Sequence, residues 1–112
     1  MFLTEQHRYS DALDAFTDGI AKNPGNSMNY YGFGQAAQLG KERVGQGIEN
    51  LLKFLTLPHD WLPGTPTYKQ AHYQLGRLYA LSGDRAGEKA QYVAALDLDP
   101  TYEPARSALA RM

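Results

Sequence analysis

The amino-acid sequence predicts an all-α protein built from successive helix pairs. Apolar residues recur every three or four positions along most of the chain, which is the period of an amphipathic helix. Short clusters of glycine, proline, asparagine and aspartate interrupt this period and predict turns. The pattern also repeats, because Pro24 and Pro58 are 34 residues apart. Gly34 lies 24 residues before Pro58. Gly76 lies 24 residues before Pro100 in the same way.

The first predicted helix spans Arg8 to Lys22 and ends at the turn Asn23-Pro24-Gly25-Asn26. Its apolar face consists of Tyr9, Ala12, Leu13, Phe16 and Ile20. Residues 1–7 are too few to form a separate helix in front of it, and His7 is expected in the turn before it.

The next two predicted helices, Ser27 to Leu39 and Glu42 to Thr56, form a pair around Gly40. Asn26 and Ser27 suit the N-cap of the first helix. The predicted inward residues are Tyr30, Phe33, Gly34 and Ala37 on the first helix and Val44, Ile48, Leu51, Leu52 and Leu55 on the second. Gly34 fits a close helix crossing, where a β-carbon would push the helices apart. Gly45 and Gly47 each cost about 1 kcal/mol of helix propensity relative to alanine, so we expect close contacts at both.

Residues 58–66 contain three prolines and a glycine, which exclude regular structure. Trp61 and Leu62 are expected to fold back onto a hydrophobic edge, and the alternative is a lid or docking knob. Thr65-Pro66 is then predicted to start the next helix, with threonine as its cap and proline at its first position.

The clearest helix pair spans residues 71–100. The apolar stripe of its first helix consists of Tyr68, Ala71, His72, Leu75, Leu78 and Tyr79. At Ser82-Gly83-Asp84 the helix breaks, since glycine suits a left-handed C-cap and aspartate suits the following N-cap. The apolar residues of the second helix are Ala86, Ala90, Val93, Ala94, Leu96 and Leu98, and Asp99-Pro100 ends it. A last helix is predicted over Thr101 to Met112, with Ala105, Ala108 and Leu109 inward.

The third pair carries a recognisable motif. It reads His72-x2-Leu75-Gly76-x2-Tyr79, Gly83-Asp84, Tyr92-x2-Ala95-Leu96 and Leu98-Asp99-Pro100. This set resembles a tetratricopeptide repeat, a helix pair with a 34-residue period. Partial copies are Tyr30-x2-Phe33-Gly34 and Ala12-x3-Phe16 followed by Pro24.

The resemblance implies a right-handed α-solenoid of antiparallel helix pairs, with about two and a half to three repeats and a C-terminal capping helix. The whole chain, residues 1–112, is then a single domain. Its parts are a half repeat at 1–26, a repeat at 27–58, a loop insertion at 59–65, a repeat at 66–100 and the capping helix at 101–112.

Composition narrows the function classes. Eleven basic and twelve acidic residues give a net charge of −1, so no overall field attracts nucleic acid, which we do not expect as a partner. No stretch approaches the length of a membrane helix, and we expect no membrane insertion. The lack of cysteine excludes disulfides and thiolate metal sites. The sequence does not specify the cellular compartment of the protein, and the cytoplasm is favoured.

No catalytic, metal or cofactor motif is present, so we expect neither an enzyme nor a bound cofactor. The three histidines form no HExxH pattern and no i,i+4 pair. His72 takes an inward position and is expected to be a core or half-buried ring. His59-Asp60 falls in the insertion. Neither a phosphate-binding glycine loop nor a nucleophile motif occurs.

The resemblance implies a concave surface lined by the first helix of each pair. The residues predicted to line it are Met28, Tyr31, Gln35, Gln38, Gln70, Tyr73 and Arg77, with Arg111 closing it from the last helix. Such a surface suits a peptide or partner protein, held by aromatic packing and amide hydrogen bonds. The alternative is that these side chains are ordinary solvated positions. One subgroup of the family grips chaperone tails with basic residues, but Gly32, Gln70 and Gln74 stand at those positions, which disfavours that ligand.

A second function from a different class is self-assembly. The half repeat lacks its first helix, so either the chain is a fragment of a longer protein or another molecule covers Phe2, Leu3 and Phe16. In the second case we expect a homodimer that closes the incomplete repeat. The first function predicted is therefore a non-catalytic interaction scaffold, and the second is a structural module.

Overall fold

A computed structural model describes residues 2–57 and 67–112, with side chains from Arg8 onward. Over these ranges the protein is all-α, as the sequence predicted. The helices are α1 (Phe2–Lys22), α2 (Ser27–Gly40), α3 (Val44–Thr56), α4 (Tyr68–Ser82), α5 (Arg85–Leu98) and α6 (Glu103–Ala110). None of the described helices carries an apolar stretch long enough to cross a bilayer. Trp61, Leu62 and the predicted helix start at Thr65-Pro66 lie outside the described residues.

Helix α1 is longer than predicted. It begins at Phe2 instead of Arg8, so residues 2–7 continue the same helix and His7 lies within it instead of in a turn. Its predicted apolar face is correct where the structure describes it, since Leu13 is fully buried. The helix ends at Lys22, and the N–H of the following residue, Asn23, donates to the carbonyl of Gly19 at 2.9 Å.

Helices α2 and α3 pack closely through glycine. Asn26 caps α2 by accepting a hydrogen bond from the Met28 N–H at 3.1 Å. A β-carbon at Gly34 would lie 2.6 Å from Cδ1 of Leu51, and one at Gly47 would lie 2.8 Å from Cβ of Ala37. Both glycines therefore occupy close contacts, as predicted. The same expectation was wrong for Gly45, which has nothing within 4 Å of its β-position.

The turn between α4 and α5 has the predicted chemistry. Gly83 adopts φ of +84°, in the left-handed region, and ends α4. Asp84 accepts a hydrogen bond from the Gly87 N–H at 2.8 Å and starts α5. At the other end of α4, the Thr67 N–H donates to Oε1 of Gln70 at 2.6 Å, which is one half of a capping box.

The inward faces of α3 and α5 differ from the predicted ones. In α5 the buried side chains are Tyr92 and Ala95, whereas Val93 and Leu98 are 41% and 57% exposed. Leu52 of α3 is 42% exposed, and the unpredicted Phe54 is fully buried in its place. Phe54 lies three residues from Leu51 and shares its face of the helix.

Each helix packs on the next one along the chain, and α2 also contacts α4. One buried cluster joins α1 to α4 around Leu13, Phe33, Leu51 and Leu75. A second joins α5 to α6 through Tyr92, Ala95, Ala105 and Ala108. The two alanines of α6 are thus buried as predicted, and α6 covers one side of α5.

Candidate binding surface

The residues predicted from α2 to contact a ligand differ in their exposure. Met28 is 44% exposed and Gln35 is exposed, while Gln38 is half-buried. Tyr31 is only 7% exposed, because its ring packs against Phe54 of α3 at a centroid distance of 5.4 Å. Burial raises the pKa of the Tyr31 hydroxyl above its ordinary value. Tyr31 therefore contributes mainly to packing between helices.

Two of the predicted residues on α4 already have partners within the chain. Gln70 uses its Oε1 in the capping box with Thr67. Tyr73 is half-buried, with ring centroids 5.9 Å from Tyr92 and 6.2 Å from Tyr102. Both side chains are only partly exposed. Tyr73, like Tyr31, packs against an aromatic ring of the next helix along the chain.

An ion pair that the sequence did not predict joins the start of α4 to the end of α5. Nζ of Lys69 lies 2.7 Å from Oδ2 of Asp99 and 5.3 Å from the ring centroid of Tyr102. The Lys69 ammonium, together with the hydroxyl and amide of Thr101, lowers the pKa of Asp99 to about 2.

Arg77 and Arg111 line one surface cavity, at the end of the fold where α4 ends, α5 begins and α6 ends. The cavity has a volume of about 480 Å³. Its lining side chains are Arg77 and Ala80 from α4, Arg85 and Glu88 from α5, and Ala108, Arg111 and Met112, with Gly83 at the turn. The structure thus brings together two predicted site residues and adds two charged ones.

The charged side chains around this cavity differ in their hydrogen-bond partners. The Tyr92 hydroxyl donates a hydrogen bond to Oε2 of Glu88 at 2.9 Å. Burial, followed by the Glu88 carboxylate, raises the pKa of Tyr92 to about 12, and Arg77 beside the same hydroxyl acts in the opposite direction. Nε of Arg111 donates to the Ser107 carbonyl at 3.2 Å. No ion pair between described residues involves Arg77, Arg85 or Arg111.

The sequence contained a usable signal for Arg85 and Glu88. Once the turn at Gly83-Asp84 is recognised, the first residues of α5 must lie beside the last turns of α4. Charged residues on either side of such a turn can therefore meet. No comparable local signal in the sequence predicts that α6 contributes to the cavity, since the direction of α6 depends on its packing against α5.

His72 is half-buried and its Nδ1 lies 2.7 Å from Oε1 of Gln91 on α5, so it links the two helices of its pair. In the described part of the chain no three histidine, aspartate or glutamate side chains come together as a set that could hold a metal ion. His59 and Asp60 lie outside that part.

The three residues predicted for self-association lie on α1. Phe16 is half-buried, and a β-carbon at Gly32 of α2 would lie 3.0 Å from its Cδ1. The ring therefore already packs within its own chain. Phe2 and Leu3 belong to the first turn of α1, and their side chains lie outside the described ones.

Neither a comparison with models of known protein families nor a comparison with curated proteins finds a match for this sequence.

Proposed function

We propose that this chain is a helical-repeat module of the tetratricopeptide type, and that it binds a peptide or partner protein without catalysing a reaction. The binding surface is the concave side formed by α2 and α4 and extended by the end of α6.

The repeat architecture is supported by the shared construction of two helix pairs. Gly34 meets Leu51 where α2 crosses α3, and a β-carbon at Gly76 would lie 2.7 Å from Cδ1 of Tyr92 where α4 crosses α5. The first helices of the two pairs, α2 and α4, also contact each other. Stacking of equivalent helices from neighbouring pairs is how a solenoid buries a continuous core.

The observation that carries the binding role is that Arg77 and Arg111, which were predicted to share one surface, line the same cavity. The exposed side chains of Met28 and Gln35 on α2 offer further apolar and hydrogen-bonding contacts. A surface with a few exposed anchors on rigid helices is suited to an extended or helical peptide.

A displayed library of random dodecapeptides tests the binding role. We expect enriched peptides whose binding to the purified protein is saturable. The double variant Met28→Ala plus Gln35→Ala should weaken that binding about tenfold or more, since removing one anchor costs about 1 kcal/mol or more. The matched control is Val93→Ala plus Gln46→Ala, which removes the same kinds of exposed side chain from α5 and α3. Absence of enriched peptides, or equal loss in the control, contradicts the proposal.

The second candidate function is homodimerisation through α1, and the observation that favours it is that Phe16 is only half-buried. Molar mass measured by light scattering over a wide concentration range separates the candidates. A constant mass near twice 12.5 kDa supports the dimer. A monomer that still selects peptides supports the binding module. Phe16→Asp is a poor test alone, because the ring also packs on Gly32 of its own chain.

A further inference from the structure

We propose that the cavity lined by Arg77, Arg85 and Arg111 binds carboxylate side chains of an acidic peptide segment. The inference rests on the proposed function, because it names the ligand chemistry of one end of the same binding surface. Carboxylate binding at the cavity would extend recognition beyond the uncharged tyrosine, glutamine and methionine contacts predicted from the sequence.

The charge balance of the cavity favours an anionic ligand. Three guanidinium groups face one carboxylate, that of Glu88, which leaves an excess of two positive side-chain charges. The chain as a whole carries a net charge of −1, so this local excess stands against the overall balance. Such a site attracts anionic groups at short range without a field that would collect long polyanions.

The three arginines are exposed and carry charges that no ion pair with another described residue neutralises. Glu88 is already engaged by the Tyr92 hydroxyl at 2.9 Å. Arg77 lies beside the Tyr92 hydroxyl and Nε of Arg111 donates to the Ser107 carbonyl at 3.2 Å. Each arginine side chain is nevertheless exposed and can offer its other N–H groups to a ligand.

The arginines lie on separate elements of the fold. Arg77 lies on α4, Arg85 opens α5, and Arg111 follows α6. A guanidinium binds a planar carboxylate through two parallel hydrogen bonds. Several singly charged carboxylates spaced along a peptide can each reach a different arginine. A phosphate would concentrate its charge at one point and would meet the Glu88 carboxylate at the same short range.

The elements that carry the arginines are fixed by caps and by buried contacts. The turn that joins α4 to α5 is fixed by the left-handed Gly83 and by the Asp84 cap on Gly87. Helix α6 is held against α5 by the buried side chains of Ala105 and Ala108. The backbone that carries the arginines is therefore ordered before a ligand binds, which reduces the entropy cost of binding.

Fluorescence anisotropy with a defined probe tests the proposal. The probe is a fluorescein-labelled nonapeptide amide with four glutamates separated by serines, and the matched peptide has glutamine in place of each glutamate. We expect saturable binding of the glutamate peptide, weaker at high salt because exposed charges are screened, and no binding of the glutamine peptide.

Arg85→Gln and Arg111→Gln should each weaken binding of the glutamate peptide about threefold to tenfold, the range of a partly exposed charge pair or charged hydrogen bond. Arg106→Gln is the matched control, since Arg106 lies on α6 outside the cavity and pairs with Glu103 at 3.8 Å. Glu88→Gln should tighten binding, because it removes the negative charge while it keeps an acceptor for Tyr92. Thermal unfolding of each variant verifies that the fold is kept.

Three outcomes would overturn the proposal: equal binding of the glutamine peptide, equal weakening by Arg106→Gln, or displacement of the probe by inorganic pyrophosphate at concentrations where a second acidic peptide does not compete. The last outcome would make the cavity a phosphate site. Library peptides that bind but lack acidic residues, and survive Arg85→Gln, would remove this inference and leave the proposed function standing. A library that yields no binder, together with no binding of the glutamate probe, would remove both the inference and the proposed function.

Discussion

Gly34 and Leu51 meet at the crossing of α2 and α3 with no space for a β-carbon between them, since one built on Gly34 would lie 2.6 Å from Cδ1 of Leu51. Leu51 is fully buried and packs in the cluster that joins α1 to α4. The same relationship holds between Gly76 and Tyr92 in the next helix pair. A single missing side chain therefore sets how closely the helices of each pair approach.

Substitution of Gly34 by alanine should destabilise the protein. The added methyl group must displace Leu51, which is enclosed on all sides, and overpacking of this kind costs about 1–3 kcal/mol. Alanine has the better helix propensity, by about 1 kcal/mol, so the net loss is expected at about 0–2 kcal/mol. Urea denaturation at constant m-value measures it.

Gly45→Ala is the matched control, because Gly45 is also helical but has nothing within 4 Å of its β-position. We expect this variant to be more stable than the original by about 0.4–1 kcal/mol, through the lower entropy of the unfolded chain. Equal changes in the two variants would mean that the crossing at Gly34 is not tight.

The turns and caps could be predicted because their signals are local. A turn or cap residue such as Gly83, Asp84 or the proline after Asp99 acts on only a few neighbouring residues. The observed helix boundaries around these positions agree with the predicted ones within one or two residues. The start of α1 differs from the prediction because a segment too short to form a separate helix can still extend the helix that follows, as residues 2–7 do.

The faces of the helices were harder to predict. Helix α2 contacts α1, α3 and α4, so more than one of its faces is covered. Tyr30 and Tyr31 are consequently both buried although they point in different directions from the helix. A single apolar stripe in the sequence indicates one neighbour and gives no warning of a second. The burial of Phe54 was not predicted for the same reason, since α3 contacts both α2 and α4.

Replacement of Phe54 by alanine should cost about 3–5 kcal/mol of unfolding free energy. The side chain is fully buried and its ring lies against Tyr31 at 5.4 Å and Tyr68 at 6.2 Å, so truncation leaves a cavity that rigid helices cannot fill. Leu52→Ala, at a 42% exposed position of the same helix, should cost less than about 1 kcal/mol. If Leu52→Ala proves the more damaging change, the assigned faces of α3 are reversed.

The candidate binding surface was predictable only in part. Arg77 was placed from its spacing to neighbouring inward residues, and it does line a cavity. That Arg111 lines the same cavity depends on how α6 packs on α5 through two alanines, and alanines alone indicate little about direction. Tyr31 and Tyr73 were matched by their spacing, but spacing could not show that other aromatic rings would cover them.

The ionisation of Tyr92 should make stability fall at high pH. Its pKa is raised to about 12 by burial and by Glu88, so its contribution is complete below the ordinary tyrosine value of 10 and is lost as the pH rises toward 12. The ultraviolet titration of the protein should contain a tyrosine component near pH 12 that belongs to Tyr92, unless the protein unfolds first. Tyr92→Phe should remove that component, and Glu88→Gln should shift it to lower pH. An unchanged titration in Glu88→Gln would show that the carboxylate does not act on the hydroxyl.

The Lys69–Asp99 pair should make stability fall in acid. The pKa of Asp99 is lowered from 3.8 to about 2, chiefly by Lys69, so the folded state gains from the charged carboxylate above pH 4 and loses that gain as the pH falls toward 2. Urea midpoints measured between these limits should decrease more steeply in the original protein than in Asp99→Asn, which has no charge to lose. Lys69→Met should reduce the slope in part, because Thr101 still donates to the carboxylate through its N–H at 3.0 Å and its hydroxyl at 2.7 Å. A slope unaffected by either substitution would place the acid sensitivity in other carboxylates and would leave the ends of α4 and α5 joined by packing alone.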